Sequence, residues 1–128
     1  MKIVVLIVRI LLGLGFLIFG LNGFLHFIPA PPMPESPAKQ FADVLHTTHY
    51  DLFVSAIQVI SAILFLVNRY VPLALVLIGP VLVNILIFHV VMAPSSILPG
   101  IVFTIFWFIV FYYHRAAFAG IFQAKTEG

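Results

Sequence analysis

Four long apolar runs alternate with short segments that hold most of the prolines and charges of the chain. Apolar runs of about 18 residues or more read as transmembrane helices, because a helix satisfies its own backbone inside hydrocarbon. The first expected span is about 10–28, and its 19 residues cover about 28 Å, close to the thickness of a bilayer core. The others are about 50–67, 72–92 and 97–117. Arg9 stands at the inner edge of the first span, where it is expected to snorkel. The run that begins after Lys2 continues to Ile28, too long for a signal-peptide core, so it reads as a retained span.

Between the first two spans the pattern changes twice. Five prolines (29, 31, 32, 34 and 37) forbid a helix and predict an extended, stiff crossing of the interface. Ser36-Pro37 then reads as an N-cap with proline at the first helical position. Ala38, Phe41, Ala42 and Leu45 recur at helical spacing, with Lys39, Gln40, Asp43 and His46 opposite, which predicts a short amphipathic surface helix over about 37–46. Pro80 predicts a kink in the third span, because the Val76 carbonyl loses its amide partner. Tyr112-Tyr113-His114-Arg115 closes the fourth span as an interfacial belt, followed by a short tail.

These elements predict an all-α, membrane-spanning four-helix bundle, one transmembrane domain over 1–128. Composition agrees, since the chain is 63% hydrophobic and 8% charged. Lys2, Arg9, Arg69, Arg115 and Lys125 fall on one side and only Lys39 on the other, so both termini are expected to be cytoplasmic. Six basic and four acidic residues, scattered as they are, leave no face for nucleic acid. The absence of cysteine removes disulfides, thiolate metal sites and dithiol redox chemistry.

Within the spans, the polar residues are few. Asn22 is expected about 9 Å below the outer interface, and Gln58 and Asn84 about 12 Å below it, so three amides share a layer. His26 and His89 lie above them, near the outer interface, and His26 shares a helical face with Asn22. Five residues separate Asn84 from His89, about 140° around an ideal helix. Amides are self-complementary interhelical glue and need no ligand. Polar groups at depth also form binding sites, and Asn22, His26, Gln58, Asn84 and His89 are the candidate ligand-binding set. His46 and His49 form a weak candidate metal pair in the outer loop, and haem on His26 and His89 requires the two to face each other. Trp107 reads as packing or lipid contact. No Asp, Glu, Lys or Arg occupies the central part of an expected span, and no nucleophile elbow, phosphate loop or carboxylate pair is present, so no independent catalytic activity is expected. An outward-facing pocket of this kind suits a lipophilic molecule with one or two polar atoms, such as a quinone head group or a sterol-like lipid. Gly13, Gly20 and Gly23 form a stripe on the first span that permits close helix approach, within the chain or in a homodimer.

The run Arg9-Ile10-Leu11-Leu12-Gly13 through Phe19-Gly20-Leu21-Asn22-Gly23-Phe24, the Gln58-bearing second span ending Asn68-Arg69-Tyr70-Val71-Pro72, and Pro80 to His89 together resemble the DoxX-like membrane proteins. The resemblance covers most of the chain apart from its C-terminal tail. It implies a multi-pass protein of the bacterial inner membrane, and a family some of whose members are associated with a terminal quinol oxidase, a thiosulfate:quinone oxidoreductase or other membrane oxidoreductase complexes. It carries over no catalytic residue. The resemblance and the residues together predict an accessory or binding subunit, with a ligand-free assembly protein or a haem- or metal-binding electron carrier as the alternatives.

Because the chain has no cysteine, single-cysteine variants report topology without background. Lys39→Cys is expected to react with a membrane-impermeant maleimide from outside intact cells, and Lys125→Cys only after the membrane is opened. Labelling of both from one side would contradict an even number of crossings.

Overall fold

The computed structural model describes residues 2–28 and 32–126. Its helices are α1 (Lys2–Leu25), α2 (Pro37–Thr47), α3 (Tyr50–Val67), α4 (Val71–Met92) and α5 (Leu98–Tyr113), with short 3-10 helices at Pro94–Ser96 and Arg115–Phe122. Among the described residues there is no strand. Pro29, Ala30 and Pro31, the first part of the expected proline crossing, lie outside the described residues.

Three helices, α1, α3 and α4, are long and apolar enough to cross a membrane. A fourth crossing requires α5 to be taken together with Arg115–Phe122, and the two are bent against each other by 84°. The helix thus stops at Tyr113 instead of running straight to residue 117. Arg115 explains the stop: its Nη1 donates to the Tyr112 carbonyl at 2.7 Å, and its guanidinium sits over the Tyr112 ring at 4.1 Å. The segment after the bend then folds Phe118 back onto Phe111, with ring centroids 4.9 Å apart, and buries it. What reads in sequence as a plain tail is therefore partly core.

α1 also differs from the expected span at both ends. Nothing in Ile3–Val8 breaks a helix, so it begins at Lys2 and carries Arg9 within its length. Arg9 does not snorkel: it is 7% exposed, and its Nη1 donates to the Phe65 carbonyl in the last turn of α3. A cation at a helix C-terminus is favourably placed, which is why burial there is tolerated. At the other end α1 closes at Leu25, because His26 adopts a left-handed φ of 52° and Ile28 precedes Pro29.

The glycine stripe of α1 meets α3. A Cβ on Gly13 would lie 2.8 Å from Leu66 Cγ, and one on Gly20 would lie 2.8 Å from Val59 Cγ2 and 3.1 Å from the Ser55 carbonyl oxygen. A Cβ on Gly23 would collide with Ser55. The pairing of 13 with 66 and 23 with 55 is antiparallel. The stripe is consumed inside the chain and is not free to join a second copy. Gly15 of α1 receives the Phe103 ring of α5.

α4 follows α3 through a tight turn in which Asn68 and Tyr70 both take positive φ. Its partner is α5, again antiparallel: Gly100 faces Ile85 and Leu86, and Gly79 faces Trp107. The fully buried core gathers at the end that holds both termini, with Leu12, Phe65, Leu75, Ile78 and Val110 at 0% exposure. Toward the other end, Val90 and Leu98 are exposed, as lipid-facing residues are.

Gly20→Val is expected to destabilise the protein by about 1–3 kcal/mol, because the Ser55 backbone cannot retreat from the added methyl groups. Gly120→Ala, in open space, is the matched control. Unfolding in mixed micelles with increasing dodecyl sulfate measures both.

Candidate functional site

α2 lies across α3 and α4, and its sequence explains how it is held there. The Ser36 hydroxyl accepts from the Lys39 amide at 3.2 Å, capping the helix, and Pro37 occupies the first turn. Lys39 Nζ lies 2.8 Å from Asp43 Oδ2 and 3.5 Å from Glu35 Oε1. The hydrogen bond to Asp43, then the charges of Asp43 and Glu35, hold the Lys39 ammonium above its usual range. Phe41, on the opposite face, packs on Phe88 of α4 with ring centroids 5.5 Å apart.

Beneath α2 is a cavity of about 570 Å³ between α3 and α4. Its walls are apolar and aromatic: Phe41, Ala42 and Leu45 from α2, Tyr50, Phe53, Val54 and Ile57 from α3, and much of α4 from Pro80 to Met92. Asn84 and His89 also line it. The cavity wraps a wide arc of α4, so two residues that an ideal wheel places well apart line one space.

Each of these two groups is half committed. Asn84 Nδ2 donates to the Pro80 carbonyl at 2.8 Å, leaving its second N–H and its carbonyl oxygen. His89 Nδ1 lies 2.7 Å from the Ile85 carbonyl, an acceptor only, so the proton in this bond is on Nδ1. In that tautomer Nε2 is left as an acceptor. Together they supply one donor and two acceptors along an otherwise apolar wall. That combination can orient a hydroxyl or a carbonyl on a lipophilic molecule.

The remaining three members of the expected set are elsewhere. Asn22 Oδ1 accepts from the Ile28 amide at 2.8 Å, closing the end of α1. It is a local cap, not glue between helices. Gln58 lies in the seam between α1 and α3, its Cβ 3.1 Å from where a Gly20 Cβ would stand. His26 stands edge-on to His46, with ring centroids 5.8 Å apart, and His46 Nδ1 is 3.2 Å from Asp51 Oδ2. The three amides therefore meet three different surroundings, and His26 is not among the residues that line the cavity with His89. His49 takes a left-handed φ of 62° ahead of α3. Among the described residues, no group of three potential metal ligands comes together, so His46 and His49 gain no third partner.

Comparison of the chain with family models, with curated proteins and with solved structures finds no match.

One polar contact escapes a reading by residue type. Trp107 Nε1 donates to the Leu75 carbonyl at 3.0 Å, tying α5 to α4 in the turn ahead of Pro80. Gly79 stands beside the indole, where an added Cβ would lie at ordinary contact distance, 3.7 Å from Trp107 Cζ2.

Trp107→Phe keeps the packing and loses the bond, and is expected to cost about 1 kcal/mol of stability by the same micelle unfolding. Asn22→Leu is expected to cost about 1 kcal/mol by exposing the end of α1, and to leave occupancy of the α2–α3–α4 cavity unchanged.

Proposed function

We propose that the chain is a multi-pass protein of the bacterial inner membrane, a four-helix bundle with both termini cytoplasmic, that holds a quinone-like lipophilic molecule beneath α2 and serves a larger membrane redox system as an accessory or binding subunit. The observation that carries the binding role is the cavity of about 570 Å³ whose only strongly polar side chains, Asn84 and His89, retain unspent hydrogen-bonding capacity on an apolar wall. The redox setting and the bacterial membrane rest on the resemblance to the DoxX-like proteins.

The topology has separate support. Lys2 and Arg9 of α1, Asn68 at the α3–α4 turn and His114 after α5 line one small cavity, so these ends lie together. Arg69 and Arg115 belong to the same end, whereas Glu35, Asp43 and Asp51 are carried by α2 and its flanks at the other. This is the asymmetry that orients membrane proteins with the basic side inward. α2 then lies at the outer end of the cavity, where Phe41 of its apolar face packs on Phe88.

Protein extracted from its own membrane in mild detergent is expected to carry one lipophilic molecule bearing a carbonyl or hydroxyl, identified by mass spectrometry after solvent extraction. Asn84→Leu and His89→Leu are each expected to lower retention about tenfold, about 1.4 kcal/mol, with little change in unfolding. Retention of bulk phospholipid alone, or equal retention by both variants, would overturn the reading in favour of a ligand-free assembly protein. A haem absorbance band that disappears in His89→Leu would favour the electron carrier.

A further inference from the structure

At the end of the molecule opposite α2, a second cavity of about 340 Å³ is lined by Lys2, Val5, Leu6, Arg9, Asn68, Tyr113 and His114. Its deepest polar group is Arg9, only 7% exposed. A guanidinium is always charged and has five N–H donors in a planar fork. One nitrogen of Arg9 donates to the Phe65 carbonyl. A helix C-terminus offsets part of a positive charge and no more. Among the described residues no carboxylate pairs with Arg9: Glu35 and Asp43 lie with Lys39, and Asp51 lies with His46. The fourth acid, Glu127, lies outside the described residues.

A buried cation with spare donors, joined at the mouth of a cavity by a second cation and several hydrogen-bonding side chains, is arranged for an anion. We propose that this cavity binds a phosphate-type oxyanion. Arg9 supplies the buried fork and Lys2 the second charge, and Asn68, Tyr113 and His114 supply neutral hydrogen bonds. A tetrahedral phosphate accepts from several directions at once, which this scattered donor set requires, whereas a planar carboxylate satisfies the Arg9 fork and leaves the others unused. The mouth lies where the ends of α1, α3 and α5 meet. In a membrane that is the level of the headgroups, so the phosphate comes from a lipid phosphodiester or from a free phosphate in solution. The site is separate from the cavity beneath α2 and does not depend on the ligand held there.

The test is native mass spectrometry of the full chain in mild detergent, supplied with phosphatidylglycerol, with inorganic phosphate, or with both. The wild type is expected to retain one phosphatidylglycerol, and the Lys2→Gln/His114→Gln double variant, altered only at the mouth, to retain it about tenfold less well. Arg9→Gln is expected to abolish retention. Competition by inorganic phosphate would assign the site to a free anion, and persistence of the lipid against it would assign the site to a headgroup; either supports a phosphate site. Equal retention by the wild type and the double variant would overturn it. So would retention that appears only in Glu127→Gln, which would show the chain's own carboxylate filling the cavity.

Discussion

The seam between α1 and α3 is the contact on which the other placements depend. In lipid no hydrophobic force drives two helices together, so association rests on close packing and on the few polar contacts between them. Gly13, Gly20 and Gly23 give α1 a flank without side chains, and Leu66, Val59 and Ser55 of α3 fill it. Arg9 fastens the same seam at its end by donating to the Phe65 carbonyl. Once α1 and α3 are joined antiparallel, the tight α3–α4 turn fixes where α4 starts. The bond from Trp107 to the Leu75 carbonyl then sets α5 against α4, and Gly15 admits Phe103 between α1 and α5.

The elements were largely legible in the sequence, because in a membrane chain the apolar runs, prolines and caps are strong signals that tertiary context rarely overrides. Ser36-Pro37 begins α2 as its residue types require, and the glycines of α1 form the packing face that their spacing indicates. The errors cluster where one side chain decides the local backbone. Arg9 reads as an edge because a charge is costly in hydrocarbon, yet a carbonyl at the end of α3 accepts it and the helix continues to Lys2. Arg115 turns the chain by bonding back to Tyr112, and no periodicity encodes that bend.

The candidate site was legible only in part, for a geometric reason. Depth along a span is fixed by counting residues, but direction around the helix depends on which neighbour it meets. Asn22, Gln58 and Asn84 share a calculated depth, and they point to three different environments: a cap, a seam and a cavity. Asn84 and His89 meet the same cavity despite their angular separation because α2 roofs a broad arc of α4. Nothing in the α4 sequence announces that roof. It comes from the apolar face of α2.

The distribution of packing bears on how such a cavity persists. The fully buried residues lie at the end with the termini, and the space between α3 and α4 opens toward α2. An unsatisfied polar group in that space would cost stability and favour collapse. Asn84 and His89 avoid this by each donating to a carbonyl one turn back on their own helix, so each is partly satisfied with the cavity empty. Their remaining capacity is then available to a ligand without being required by the fold. Asn22 is different, since its oxygen is already spent on the Ile28 amide where the backbone leaves the helix. By that criterion a polar residue in a membrane helix marks a site when it is satisfied enough to stand alone and still has a free group facing open space. Two of the five candidate residues meet it, and they are the two that share a cavity.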